Sequence, residues 1–308
     1  MGNEKIMPYI AGVIYSTIFG FSFMFTKKTL DFLTPFHLLG FRFAFAAIML
    51  TILQLIGVIK INFKGKKLHL LMLLAFFQPV TYFICETIGI NMTSSSEAGM
   101  MIALIPVFVT ILATVFLKET PTLRQLIFIL VSVAGVVFIN LMKGSTDVSG
   151  NINGIFVLLG AIVSAGFFNI LSRKSSFQFK PVEITFVMMW IGTIVFNSIA
   201  IIQHIGNNNL RNYLQPLTNT SVITAILYLG ILSSVIAFFM VNYMLSKIEA
   251  SKSAVFANLT TIVSIFAGVV ILKEDFYWFH FVGGGMILLG VWGTNYYGRM
   301  RKGKLVKD

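Results

Sequence analysis

Charged residues are scarce in this sequence. Only 11% of its 308 residues are Asp, Glu, Lys or Arg, whereas 57% are hydrophobic. A soluble domain carries about a quarter charged residues, because its surface must be covered by polar groups. Here, apolar runs of about twenty residues follow one another instead, which is the length that a helix needs to cross roughly 30 Å of hydrocarbon. The composition therefore excludes a soluble protein and predicts an integral membrane protein.

Residues that typically carry out catalysis or bind metals are also rare. The single cysteine, Cys85, excludes an internal disulfide framework and a Cys/His metal cluster. No nucleophile elbow or phosphate-binding loop occurs, and no acidic cluster surrounds any histidine. These absences predict that the protein is not an enzyme and needs no metal or cofactor. The four histidines all fall near predicted helix ends, at His37, His69, His204 and His280.

The apolar runs predict an all-α protein of ten transmembrane helices. The connections between them are short, except for a basic segment at 60–68 and an Asn-rich stretch at 206–220. The N-terminal run has no A-x-A-like cleavage site, so we interpret it as a retained helix. The predicted spans are 8–28, 36–58, 68–90, 96–117, 123–142, 153–172, 181–203, 221–245, 251–272 and 277–297.

The basic residues predict the orientation of these spans. The formal net charge is +12, but Lys and Arg lie between the apolar runs rather than in a stripe interleaved with aromatics, so no nucleic-acid partner is expected. With the N-terminus placed inside, 17 of the 23 Lys and Arg residues fall on the cytoplasmic side and 5 on the outer side. The positive-inside rule therefore predicts a multi-pass protein of the cytoplasmic (cell) membrane with both termini in the cytoplasm.

The chain repeats itself, which predicts two halves of five spans each. The halves are 8–142 and 153–297, followed by a basic cytoplasmic tail at 298–308. Because five is an odd number, the second half must be inverted relative to the first. Inverted repeats are typical of secondary transporters, which hold their solute between the halves near the middle of the membrane. The repeated residues are Gly20, Lys27, Lys28 and Pro35 with Gly166, Arg173, Lys174 and Pro181, at an offset of 146, and Leu117-Lys118-Glu119 with Leu272-Lys273-Glu274, at an offset of 155.

Short motifs along both halves give the chain a family resemblance. The motifs are Pro35…Arg42-Phe43, Ser94-Ser95-Ser96-Glu97-Ala98, Ile105-Pro106-Val107-Phe108, Leu117-Lys118-Glu119, Gly135-Val136-Val137, Leu227-Tyr228-Leu229-Gly230, Glu249-Ala250-Ser251-Lys252-Ser253-Ala254, Leu272-Lys273-Glu274 and Gly283-Gly284-Gly285…Gly290. With its motifs in this order and spacing, the sequence resembles the EamA-type members of the drug/metabolite transporter superfamily. The resemblance implies ten helices in two inverted repeats, with the first, third and fourth helices of each half lining a cavity and the fifth and tenth serving as scaffold.

Repeat and resemblance together predict a secondary carrier of small metabolites, such as amino acids or similar amphipathic solutes, working by alternating access and in the direction of export. Its partners would be the solute and the lipid bilayer, with a homodimer as a further possibility. A flippase of a lipid-linked precursor is the main alternative, and a membrane-embedded enzyme is a weaker one.

Two ionisable residues lie well inside predicted spans, Arg42 and Glu86. A charge in hydrocarbon costs at least about 2.5–3.5 kcal/mol on insertion scales, so each needs a partner or a wet cavity. They fall at similar depths on neighbouring helices, which allows a structural ion pair. Alternatively, Glu86 is a substrate-binding or proton-coupling carboxylate. Burial would favour the protonated form of Glu86, whereas pairing with Arg42 would favour its ionised form. The sequence does not decide which of the two effects is larger.

Polar residues on the predicted cavity helices are the candidates for solute binding. Pro79 and Pro106 would break two of these helices and free backbone carbonyls. For each polar residue and each proline, a packing role is the alternative. The candidates are Tyr15, Ser22, Gln78, Tyr82, Glu86, Asn169, Asn242 and Asn258.

Two further patterns predict local structure. Ser94-x-x-Glu97 and Ser246-x-x-Glu249 are typical of capping boxes at helix starts. Gly283 and Gly290, seven residues apart in one helix, indicate a close helix contact, either within the monomer or in a dimer.

Overall fold

The protein folds into a bundle of helices. A computed structural model describes residues 2–117, 122–144, 152–248, 250, 253 and 256–305, and no strand occurs in these ranges. Four helices change geometry or are interrupted along their length and are given in pieces. The helices are α1 (Gly2–Thr29), α2 (Pro35–Leu55), α3 (His69–Ala75, Phe76–Thr81 and Tyr82–Met92), α4 (Ser95–Ile102 and Ile105–Leu117), α5 (Leu123–Gly144), α6 (Ile152–Ser175), α7 (Pro181–Gly206), α8 (Thr220–Leu227, Tyr228–Ala237 and Phe238–Lys247), α9 (Ala257–Phe266 and Ala267–Ile271) and α10 (Trp278–Leu305).

The helices have the length and composition of membrane spans. Within the described ranges, seven helices (α1, α2, α3, α4, α6, α7 and α8) are long and apolar enough to cross a bilayer. The prediction of an all-α, multi-span membrane protein is therefore confirmed. The apolar parts of the other three are shorter, at Leu123–Ile139, Ala257–Ile271 and Trp278–Gly293. The count of ten spans stays a prediction.

Both predicted helix breaks coincide with irregular backbone. In α3, Gln78 has φ −147° and ψ 114°, far from helical values, directly before Pro79. In α4, the helix is interrupted at Ala103 and Leu104, and a new helical piece starts with Ile105 and Pro106. Proline lacks a backbone N–H and fits the first turn of a helix, so Pro106 is compatible with this restart.

The connections between helices lie at two opposite ends of the bundle. We call the end that holds residues 30–34, 93–94, 207–219 and 272–277 the Ser95 end. There, Lys27 Nζ donates to the carbonyl oxygens of Ile90 (2.9 Å) and Thr93 (2.6 Å), joining α1 to the end of α3. The Lys66 end holds residues 56–68 and 176–180. There, Lys66 Nζ lies 2.5 Å from the Glu183 carboxylate, and Arg173 donates to the carbonyl of Leu245 at 2.7 Å.

The Asn-rich loop at the Ser95 end packs onto the bundle through Tyr213. His37 donates from Nε2 to the Tyr213 carbonyl at 2.9 Å, and the two rings stack with centroids 4.5 Å apart. The Tyr213 hydroxyl donates to Asn197 Oδ1 at 2.7 Å. Burial raises the pKa of Tyr213 to about 12, so this hydroxyl keeps its proton at neutral pH.

Contacts between the two halves are repeated with the partners exchanged. Gly20 of α1 packs against Val263 of α9, and Gly166 of α6 packs near Phe108 of α4. Gly166 follows Gly20 by 146 residues, and Val263 follows Phe108 by 155, which are the two offsets of the sequence repeat. Such an exchange of partners is what a two-fold relation between the halves produces.

Helices α5 and α10 form the closest of these repeated contacts. A methyl group on Gly135 would lie 2.7 Å from the carbonyl oxygen of Gly283, and one on Gly290 would lie 2.5 Å from that of Phe128. These two pairs are again related by an offset of 155 with the partners exchanged. The predicted close contact at Gly283 and Gly290 is confirmed, and it lies within the monomer. Small residues let two helix backbones approach in this way.

Gly290→Ala should therefore destabilise the protein. The new methyl group would overlap with Ser132 Oγ and meet the backbone of Phe128 and Ser132, so the cost of overpacking is roughly 1–3 kcal/mol. Thermal unfolding of the purified protein in detergent measures the effect as a lower Tm. Gly285→Ala, in the same helix, is the matched control because, apart from the backbone of its own helix, no atom of the described residues lies within 4 Å of the position that its methyl group would take. Equal Tm values for the two variants would contradict the close contact.

The N-terminus of α4 is capped as the sequence predicts. The Ser94 side chain accepts from the Glu97 amide at 3.1 Å, and the Glu97 carboxylate accepts from the Ser94 amide at 3.1 Å. The capping box at Ser94 is therefore confirmed. The second predicted box depends on Glu249, which lies outside the described residues.

Candidate solute-binding site

A cavity of about 80 Å³ lies between the two halves of the bundle, with room for several water molecules. Its walls come from α1, α2, α3 and α4 of the first half and from α6, α8 and α9 of the second. Helices α5, α7 and α10 contribute none of the described lining residues. The lining therefore follows the pattern that the family resemblance implies, with Arg42 of α2 added to it.

Arg42 brings a buried positive charge to this cavity. Its side chain is 1% exposed, and its Nε and Nη2 donate to the hydroxyls of Ser234 (2.9 Å) and Ser233 (2.8 Å) on α8. Its Cζ also lies 4.3 Å from the centroid of the Phe83 ring, a cation–π contact. Nη1 has no hydrogen-bond partner among the described residues. Two serines and one ring thus hold the guanidinium in place while one N–H group stays available.

Glu86 brings a carboxyl group to the same cavity. It is 4% exposed, and its Oε1 accepts from the Tyr82 hydroxyl at 3.2 Å, one helical turn before it. Its Oε2 has no hydrogen-bond partner in the described part of the chain. No direct ion pair joins Glu86 to Arg42 among the described residues, although both line the cavity. The predicted pairing of these two residues is therefore not a direct contact here.

Gln78 adds a third unsatisfied polar group. The irregular backbone before Pro79 places the Gln78 side chain in the lining, where it is 5% exposed. Its Oε1 lacks a hydrogen-bond partner within the described residues. An unsatisfied polar atom that is buried away from water costs about 1–3 kcal/mol. Three such groups around one cavity indicate a site that receives its remaining hydrogen bonds from water or a solute.

The rest of the wall is mostly aromatic. Phe238 of α8 lies at its centre, with ring centroids 5.1 Å from Phe19, 5.9 Å from Phe83 and 6.1 Å from Phe168, all in edge-to-face arrangements. Such pairs stabilise each other beyond their buried area and keep the wall rigid. An apolar wall beside a few convergent polar groups is the usual composition of a small-molecule site.

The structure brings most of the predicted site residues together. Beside Arg42, Gln78, Tyr82 and Glu86, the lining includes three further candidates. The Ser22 hydroxyl donates to the carbonyl of its own helix at Phe19, and the Asn169 amide donates to that of Ala165. The Tyr15 hydroxyl donates to the Ser253 carbonyl at 3.3 Å. Their role in binding stays a prediction.

Two predicted site residues lie elsewhere. Asn242 is fully buried: it accepts from the Ser172 hydroxyl at 2.7 Å and donates to Thr185 Oγ1 at 3.0 Å. It therefore ties α8 to α6 and α7 and has little left to offer a solute. Asn258 is partly buried, its Oδ1 has no partner among the described residues, and it is not part of the cavity lining. The second predicted break, at Pro106, lies next to Ile105 of the lining.

Comparison with known proteins identifies the family. The model of the EamA-like transporter family matches the chain twice, over residues 6–141 and 152–296. The chain belongs to the EamA-like transporter family. The resemblance stated from the sequence motifs is thereby confirmed, and the protein is a membrane transporter whose partners are the bilayer and a small-molecule solute. The two matches also agree with the two halves that the internal repeat predicts.

Relatives of this EamA-like transporter cover between about two thirds of its length and nearly all of it. The uncharacterised transporter YcxC of Bacillus subtilis (strain 168) is 39% identical over 95% of this chain and 94% of its own. A probable terminal-alkyne amino-acid exporter of Streptantibioticus cattleyicolor is 26% identical over 64% of this chain and 63% of its own. A solved crystal structure superposes with a TM-score of 0.62 over 94% of this chain and 96% of that one, at 14% identity, and shows the fold alone.

Sequence reasoning missed several lining residues of the EamA-like transporter. Phe19 and Phe23 follow Tyr15 by four and eight residues, so helical spacing alone puts them on the face of α1 that carries Tyr15. No sequence signal places Phe83, Phe168 and Phe238 around one cavity, because they belong to three helices far apart in the chain. Nor does any sequence signal pair Arg42 with Ser233 and Ser234, because these hydrogen bonds join residues 191 and 192 positions apart.

Proposed function

We propose that this protein is a secondary carrier that exports amino acids or similar small amphipathic metabolites across the cell membrane by alternating access. The observation that carries the proposal is the cavity between the halves, where buried Arg42 and Glu86 each keep one polar atom without a partner among the described residues. The name of the relative from Streptantibioticus cattleyicolor, an amino-acid exporter, supports this substrate class and direction.

The two charges favour a zwitterion as the solute. The free Nη1 of Arg42 suits a carboxylate, which it would bind through a charge-assisted hydrogen bond. The free Oε2 of Glu86 and the Oε1 of Gln78 suit an ammonium group, because both are acceptors. The aromatic wall suits an apolar side chain. A solute with all three features would satisfy the three unpaired atoms that the described lining shows, at Arg42, Glu86 and Gln78.

Glu86 offers a means of coupling transport to protons. A proton and the ammonium group of the solute would compete for the same carboxylate. Binding of one would therefore promote release of the other, which exchanges an incoming proton for an outgoing solute. Tyr82 donates to the other carboxylate oxygen, so Oε2 is the atom at which this exchange takes place.

The pseudo-two-fold contacts and the distribution of basic residues support the geometry of transport. Because each half has five predicted spans, the two-fold axis lies in the membrane plane, and rocking one half against the other opens the cavity to alternate sides. The positive-inside rule puts both termini and the Lys66 end in the cytoplasm and the Ser95 end outside.

Counterflow tests this function. Purified protein in liposomes, preloaded with a mixture of unlabelled amino acids, should accumulate a labelled amino acid above the level of protein-free liposomes. Absence of counterflow with amino acids and other metabolite pools would contradict the proposal. Movement of a fluorescent lipid between leaflets, in the same preparation, would instead support the flippase alternative.

Analogues that lack one charge should bind poorly. For whichever amino acid shows counterflow, the amine that lacks its carboxylate and the acid that lacks its amino group should each compete about 10-fold more weakly or worse. Each analogue leaves one buried charge without its partner, and hydrogen bonds to charged groups contribute about 1.5–3 kcal/mol. Competition as strong as that of the parent amino acid would contradict the zwitterion site.

A further inference from the structure

Glu274 of the second half forms hydrogen bonds with the start of α4 in the first half. The Glu274 carboxylate accepts from the Ser95 amide at 2.7 Å, the Ser96 amide at 2.9 Å and the Ser96 hydroxyl at 2.6 Å. Glu274 belongs to the turn between α9 and α10, so these three bonds cross between the halves at the Ser95 end. A carboxylate at a helix N-terminus also interacts favourably with the helix dipole.

The backbone around this contact is shaped for it. The Glu274 amide donates to the carbonyl of Gly268 at 3.0 Å, which folds the turn back over the end of α9. A methyl group on Gly268 would overlap with Glu274 Oε2 and Ser96 Oγ. Glycine at this position therefore leaves the space in which the Ser96 hydroxyl and the Glu274 carboxylate form their hydrogen bond. We call the contact of Glu274 with Ser95 and Ser96 the Glu274 latch.

Directly beneath the latch, α4 and α9 pack tightly. Thr261 Oγ1 donates to the carbonyl of Gly99 at 2.8 Å, and a methyl group on Gly99 would overlap with Ser264 Oγ. Deeper in the bundle, the cavity is lined by Ile102 and Ile105 of α4 and by Ala257 and Thr260 of α9. The contact of α4 with α9 therefore lies between the latch and the cavity.

We propose that the Glu274 latch is the gate contact that closes the cavity toward the Ser95 end, and that it must be released each time the cavity opens to that side. This inference rests on the alternating access proposed above. The latch is strong in the closed state because an ionised acceptor takes three donors at once. Removing the charge therefore shifts the equilibrium between closed and open states, since it weakens the closed state alone.

Accessibility of a cavity cysteine tests the latch without knowledge of the solute. The reporter is Ser22→Cys in a Cys85→Ser background, labelled by a membrane-impermeant methanethiosulfonate reagent in intact cells and in inverted membrane vesicles. Adding Glu274→Gln should raise the labelling rate about 10-fold or more from the Ser95 end only, because the closed state loses a charged acceptor. Gly268→Ala should act in the same direction, and Glu274→Asp should restore part of the protection.

Asp275→Asn is the matched control, since its carboxylate is the next along the chain and is exposed. It should leave the labelling rate unchanged. Thermal unfolding of each variant shows that it is folded. Unchanged labelling in both Glu274→Gln and Gly268→Ala, with both proteins folded, would overturn the latch while leaving counterflow by the wild type untouched. Equal increases from both sides of the membrane would overturn it as well, because they indicate a general loosening of the bundle.

Discussion

Arg42→Gln should reduce amino-acid counterflow by about 100-fold or more. The guanidinium is buried and is held by Ser233 and Ser234, and its Nη1 has no hydrogen-bond partner among the described residues. If the solute carboxylate binds there, the substitution removes the only positive charge among the described lining residues. Truncating one partner of a buried, hydrogen-bonded charge pair costs about 2–5 kcal/mol, which corresponds to a loss of this size. The initial rate of labelled amino-acid uptake in preloaded liposomes measures it.

Two further variants separate binding from folding. Arg42→Lys keeps the charge but loses the planar geometry that reaches both serines, so it should keep a small part of the activity. Arg124→Gln changes an exposed arginine on α5 and should leave counterflow unchanged. The interpretation fails if Arg42→Gln unfolds at the temperature of the wild type and still transports at more than about half of its rate.

Glu86→Gln should abolish the part of the flux that an imposed pH gradient drives. Glutamine has nearly the same volume and still accepts from the Tyr82 hydroxyl, but it cannot take up and release a proton. Counterflow without a pH gradient should persist at high solute concentration with weaker apparent affinity, because the ammonium group loses its counter-charge. Liposomes with a fixed pH difference, compared with liposomes at equal pH on both sides, separate the two components.

Asp31→Asn is the control for this experiment, since Asp31 is an exposed carboxylate outside the cavity. It should keep both components of the flux. Undiminished pH-driven flux in Glu86→Gln would remove Glu86 as the coupling group, and equal loss of both components would assign it to solute binding alone.

Much of the fold could be predicted from the sequence, because hydrocarbon restricts the choices. A chain with so little charge in its apolar runs has to form its backbone hydrogen bonds within helices. The lengths of the runs then predict the bounds of most spans to within a few residues. Helix ends follow local rules, so Ser94 and Glu97 were enough to predict a capping box. Glycine spacing in α10 predicted a close contact but not its partner, which is α5 of the other half.

The candidate site could be predicted only in part. Buried ionisable residues are costly, so Arg42 and Glu86 stood out within their apolar runs. An amide is also costly to bury, which favoured Asn242 as a site residue. Its amide is nevertheless satisfied by Ser172 and Thr185, neither of which is near it in the sequence. Polarity identifies a residue that needs a partner, but the partner decides whether the residue packs or binds.

The sequence alone determined that this protein is helical and spans a membrane several times, and it predicted two repeated halves, because hydropathy and repeat offsets are properties of the linear chain. Only the tertiary structure decided which atoms stay unpaired around the cavity and that Glu274 meets Ser95 and Ser96 across the halves. Both features depend on residues that are more than a hundred positions apart in the chain and come within hydrogen-bond distance. Helix packing, rather than local sequence, brings such residues together.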